Sequence, residues 1–106
     1  GCIRYLPGSH KEGMRAHQRT DVLGFSQGLS EYKNTDIEKE IPVCVEPGDL
    51  IAHHSMTIHR ADANKSDRPR RALGFVYFSQ TAAEDSKRAD AYRKKLYEDW
   101  EKQGKI

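Results

Sequence analysis

Four short runs of strand-forming residues, at 2–6, 41–45, 50–58 and 72–78, are all that this 106-residue chain offers to a sheet. Four strands are too few to close a barrel. They leave two unpaired edges and one open apolar face, and both invite pairing with another chain. After Ser79 the period changes. Ala89, Tyr92, Leu96 and Trp100 fall on one side of a helix spanning 82–103, and Gly104 is placed to stop it. Acid-before-base pairs at i,i+4 (Glu84 with Arg88, Asp90 with Lys94, Glu98 with Lys102, Glu101 with Lys105) read as the solvated side of that helix. Its apolar stripe is expected to dock on the sheet. The layout is therefore a single mainly β domain over 1–106, with strands and a long loop in 1–79 and a C-terminal α-helix.

Hydrophobic residues make up 36% of the chain and charged residues 32%, so the core must be thin. Pro7-Gly8-Ser9 and Glu46-Pro47-Gly48-Asp49 are turns, because proline presets φ and glycine accepts positive φ. Residues 10–40 are polar and lack a clear period, apart from the apolar island Val22-Leu23-Gly24-Phe25, and read as a long functional or covering loop. The fourth run, Ala72-Leu73-Gly74-Phe75-Val76-Tyr77-Phe78, is the most convincing strand by composition. A net charge of +2 argues against a dedicated nucleic-acid binder. No apolar run reaches membrane-spanning length, and no leader peptide is visible. Cys2 and Cys44 form no Cys-x-x-Cys pair and read as reduced core thiols of a cytoplasmic protein; a disulfide stays open if their strands are neighbours. The chain begins directly on its first strand, as a fragment would. An open half-sheet of this kind is expected to form a homo-oligomer through its edges.

The chemistry gathers in 53–71. Three of the five histidines, His53, His54 and His59, lie on the third run. Alternation along an extended strand would put His53, Ser55, Thr57 and His59 on one face. If that face points inward it lines a wet cavity, with His59 at the strand end where a metal can reach it. Arg70 and Arg71 open the next run, where alternation lets one of the two point inward. An inward guanidinium needs an anionic partner, and a small dicarboxylate held bidentately suits it. A zinc or nickel site built from His53, His54 and His59 is the alternative reading of the same stretch.

Three blocks carry a resemblance. They are Gly1-Cys2-Ile3-Arg4-Tyr5-Leu6-Pro7-Gly8-Ser9-His10, Pro47-Gly48-Asp49-Leu50, and His59 through Asn64-Lys65-Ser66 to Arg70. In order and spacing the chain resembles the C-terminal half of the phytanoyl-CoA dioxygenase family. The resemblance implies a partial double-stranded β-helix, a cupin-like jelly roll. It also implies an Fe(II)- and 2-oxoglutarate-dependent dioxygenase acting on a small organic substrate. By it, His59 is the distal iron ligand and Arg70 the partner of the cosubstrate's far carboxylate. Three departures stand beside it. The family's His-x-Asp pair lies upstream of the Gly-Cys strand, which implies a chain inactive alone; His10-Lys11-Glu12 is only a formal substitute, inside a turn. Ala61 replaces a serine that often helps hold the cosubstrate. His17, Gln27 and Tyr32 in the long loop are candidates to face a substrate.

Overall fold

A computed structural model describes residues 1–22 and 25–106; Leu23 and Gly24 of the apolar island lie outside the described residues. The chain divides into two compact units, one formed by Gly1–Gln18 with Gln27–Arg71, the other by Arg19–Ser26 with Ala72–Ile106. The architecture is one of short strands with a C-terminal helix, and no closed barrel forms among the described residues.

The first unit is built on a three-stranded antiparallel sheet. Strand β1 (Ile3–Tyr5) is central, flanked by β4 (Ile41–Val43) and β5 (His59–Ala61). Ile3 faces Val43 and Ala61, Arg4 faces Pro42 and Arg60, and Tyr5 faces Ile41 and His59. Pro42 is tolerated because β4 is an edge, where its missing N–H breaks no ladder. Alternation assigns Ile3, Tyr5, Ile41, Val43, His59 and Ala61 to one face, and Arg4, Pro42 and Arg60 to the other. The register continues one step further and sets Cys2 opposite Cys44. Their Cα atoms are 4.9 Å apart and a disulfide joins them. The expectation of two reduced thiols is thus corrected. Cysteines directly opposite on adjacent strands come close enough to bridge, a proximity that 42 residues of separation conceals.

The Pro-Gly-Ser turn after β1 secures this sheet. Gly8 takes φ 78°, open to glycine without strain, and starts a 3₁₀ turn over Ser9–Lys11. Ser9 is fully buried; its hydroxyl donates to the Leu6 carbonyl at 2.7 Å and accepts from the Ile58 N–H at 2.9 Å. Leu6 is 3% exposed, and its N–H donates to the Ile58 carbonyl at 2.9 Å. One serine therefore ties the end of β1 to the residue that precedes β5.

Several expectations change. The run at 50–58 is not a strand: a turn at Ser55–Met56, closed by the Thr57 N–H on the His54 carbonyl at 2.9 Å, interrupts it, and β5 starts only at His59. The loop 10–40 contains structure: the 3₁₀ turn, a hairpin of β2 (His17–Arg19) and β3 (Gln27–Leu29), and the short helix α1 (Asn34–Glu38). A two-stranded pairing this brief leaves no period long enough to read. The run at 72–78 forms no strand. Leu73, Phe75, Val76, Tyr77 and Phe78 are 71–90% exposed. A strand exists only through a neighbour's backbone, and no described segment pairs with this one.

In the second unit, α2 (Ser86–Lys102) begins four residues later than the apolar period suggests, because Asp85 caps it by accepting from the Arg88 N–H at 3.1 Å. Gly104 ends it at φ 64°, with the Lys105 N–H returning to the Trp100 carbonyl, as expected. The stripe is as read: Leu96 is buried, while Ala89, Tyr92 and Trp100 are half-buried. Within this unit Arg19 and Ser26 meet it. The Tyr92 hydroxyl donates to Ser26 at 2.9 Å, Arg19 lies 5.9 Å from the Tyr92 ring centre, and Arg19 pairs with Asp99 at 3.3 Å. On the solvated side Asp90 pairs with Arg93 at 2.5 Å, one residue short of the expected Lys94. No described helix is long and apolar enough to cross a membrane.

Candidate functional site

The imidazoles gather on the apolar face of the sheet. Tyr5 and His59 are cross-strand partners, so their rings stand side by side with centres 5.7 Å apart. The turn at 55–56 brings His53 back to them. Its ring centre lies 4.8 Å from that of His59 and 5.1 Å from that of Tyr5, and its Nδ1 shares a hydrogen bond with the Tyr5 hydroxyl at 3.0 Å. Strand alternation correctly put His53 and His59 together, but for the wrong reason, since a turn unites them. Crowding against these rings pulls the His53 imidazole below its usual pKa, first by desolvation and then by the His59 charge; desolvation raises the Tyr5 phenol.

Partners set the tautomers. A carbonyl oxygen only accepts, so the contact of His59 Nδ1 with the Thr57 carbonyl at 2.9 Å makes Nδ1 the donor. The neutral ring then carries its lone pair on Nε2, ready for a metal or a proton. His54 is the converse. Its Nδ1 accepts from the Met56 N–H at 3.1 Å, so its neutral form keeps the proton on Nε2. Its ring centre lies 5.5 Å from that of His10. His54 therefore stands outside the group that holds His53 and His59.

On the opposite face the charges are all paired. Arg4 and Arg60 are directly opposed like charges, an arrangement that is unfavourable alone. Asp62 lies between them, at 2.9 Å from Arg4 and 2.6 Å from Arg60. Glu40, with its side chain 1% exposed, takes Arg60 bidentately at 2.6 and 2.7 Å and accepts from the Tyr32 hydroxyl at 2.6 Å. Arg60 hydrogen bonding holds the Glu40 carboxyl below its usual range despite burial, and Arg4 and Arg60 do the same for Asp62. Tyr32 is pushed up to about 12 by burial and by Glu40. A second buried carboxylate, Asp36, accepts from Arg15 at 2.7 and 3.2 Å and from the Lys33 N–H at 3.1 Å, and is also lowered. Asp36 and Arg15 line a shallow cleft with Ala16, Glu31 and Lys33 that shares no residue with the imidazole cluster.

Of the residues singled out from sequence, His59 lies in the cluster. Arg70 is exposed, and no hydrogen bond or ion pair holds it among the described residues. Tyr32 serves the Glu40 network, and His17 donates from Nδ1 to the Arg15 carbonyl at 2.7 Å. Tyr5 and His53 enter as ring neighbours of His59. The signal for Tyr5 lay in strand register, which no single run of sequence displays. Among the described residues no group of three His, Cys, Asp or Glu side chains converges to hold a metal ion. The chain thus offers ligand-ready imidazole without a carboxylate beside it, and these residues do not complete a two-histidine, one-carboxylate iron site.

The sequence model of a family described as phytanoyl-CoA dioxygenase (PhyH) matches residues 1–72, a span holding both the sheet and the imidazole cluster. The chain belongs to that family. It is 31% identical over 96 residues to phytanoyl-CoA dioxygenase 1 of Oryza sativa subsp. japonica, covering 89% of this chain and 33% of that protein. It is 30% identical over 77 residues to dioxygenase lolE1 of Epichloe uncinata, covering 73% and 27%. It is 30% identical over 93 residues to a 2-aminoethylphosphonate dioxygenase of the uncultured bacterium HF130_AEPn_1, covering 76% and 35%. The chain spans about a third of the length of these relatives. No solved structure matches it significantly.

Proposed function

We propose that this chain is the C-terminal portion of an Fe(II)- and 2-oxoglutarate-dependent dioxygenase built on a double-stranded β-helix. The completed enzyme takes one O2 and one 2-oxoglutarate, hydroxylates a C–H bond of a small organic substrate, and releases succinate and CO2. Family membership supports the dioxygenase class. The observation that carries the reading to a residue is the His59 ring, whose Nδ1 contact with the Thr57 carbonyl leaves the lone pair on Nε2. His59 is assigned as one iron ligand and Arg70 as the guanidinium for the cosubstrate's far carboxylate. The remaining ligands would come from a His-x-Asp pair on a preceding segment, and without it the chain does not turn over. The test joins the chain to the upstream segment of a family member and measures succinate. His59→Ala should abolish it, and Arg70→Ala should raise the KM for 2-oxoglutarate at least tenfold. Full activity with His59 replaced would end the assignment.

A second reading has its own support. Leu73, Phe75, Val76, Tyr77 and Phe78 stand exposed without a strand partner. A chain presenting such a run pairs it with a second copy and acts as a non-catalytic, self-associating β-domain. Light scattering at micromolar concentration separates the two outcomes: a dimer supports this reading, a stable monomer ends it.

A further inference from the structure

We infer that His53 and His59 form a two-imidazole site for a borderline divalent cation such as Zn2+ or Ni2+, independent of any upstream ligand. The spacing of the two ring centres matches that of a chelate. With a metal–nitrogen bond of about 2.0–2.1 Å and a near-tetrahedral angle, two imidazoles on one ion have ring centres about 5 Å apart; here the separation is 4.8 Å, with the planes tilted by 56°. Coordination through Nε2 needs the ring proton on Nδ1, and a partner at each Nδ1 can hold it there. His59 donates from Nδ1 to the Thr57 carbonyl, which enforces the ligand-ready tautomer. His53 meets the Tyr5 hydroxyl, which accepts as readily as it donates and so permits the same tautomer. The other histidine pair lacks this property. His54 accepts at Nδ1 from a backbone N–H, which keeps its Nε2 protonated in the neutral ring.

Two elements preset the chelate. Strand pairing fixes His59 opposite Tyr5, and Tyr5 then fixes His53, so little side-chain freedom remains to be lost on binding. With only two protein ligands, the other coordination positions belong to water or a small chelating anion.

The test uses the chain as it stands, stripped with chelator, labelled with 15N at histidine and titrated with Zn2+. The Nε2 signals of His53 and His59 should shift together at one Zn2+ per chain, while those of His10 and His54 stay in place. His53→Phe and His59→Phe should each weaken binding at least tenfold, and His54→Phe should leave it within twofold. Tyr5→Phe should weaken it by about tenfold, through loss of the phenol behind His53. The labelled parent chain gives the answer even if a variant fails to fold. Movement of only one imidazole, movement of the His10 and His54 signals instead, or no shift at millimolar Zn2+ overturns the proposal. Turnover of the completed enzyme and zinc binding by this chain can fail separately, because the second needs no His-x-Asp pair.

Discussion

The two faces of the three-stranded sheet are made from the same nine residues of strand and end in opposite conditions. On the Arg4 and Arg60 face, each charged group named above has a partner: Asp62 between the arginines, Glu40 beneath Arg60, Tyr32 on Glu40, and the Cys2–Cys44 bridge alongside. On the Tyr5 and His59 face, rings touch rings, Ile41 is 53% exposed, and the neutral His59 ring keeps Nε2 as its acceptor. A closed network uses its polar groups for holding strands together. The difference places the paired charges on one side of the sheet and the imidazole cluster on the other.

The comparison is broken most strongly by opening the bridge on the closed face. A disulfide closing a loop of 42 residues restrains the unfolded chain by about 4 kcal/mol. Reduction, or replacement of Cys2 and Cys44 by serine, should therefore lower the urea midpoint more than any other change here. An unchanged midpoint under reductant would show that the bridge adds nothing to stability. Next comes Ser9→Ala, which deprives the Ile58 N–H of its acceptor at a fully buried site and should cost about 1–3 kcal/mol. Denaturation curves of the two proteins measure it.

Acid comes third. Asp36, Glu40 and Asp62 have folded pKa values below their unfolded ones. The stability they contribute is present above the unfolded carboxylate values near pH 4 and is lost as pH falls through the lowered folded values. Stability should decline from about pH 5 downward, and Glu40→Gln should flatten that slope while leaving the zinc response of the other face intact. The smallest effect belongs to the outer side of α2. Asp90 and Arg93 are both more than half exposed, so Asp90→Asn should leave the melting temperature within error.

Much of this was legible in the chain. The helix declared itself through seventeen residues of consistent period, its stripe and its glycine stop. The first strand and the turn after it followed from β-branched and aromatic residues ahead of Pro7-Gly8. The run at 72–78 misled because strand-forming composition records a capacity to pair, not the presence of a partner. The hairpin and α1 escaped notice because elements of three to five residues are shorter than any period that announces them.

Sequence alone determined the amphipathic helix and the turn chemistry, since these depend on residues a few positions apart. Tertiary structure alone decided that Cys2 meets Cys44, that Asp62 and Glu40 neutralise Arg4 and Arg60, and that Tyr5 brings His53 to His59. Apart from Arg60–Asp62 and His53–His59, these pairs join residues twenty or more positions apart. Strand register and the turn at Ser55–Met56 bring them together, and no local run of residues contains that register.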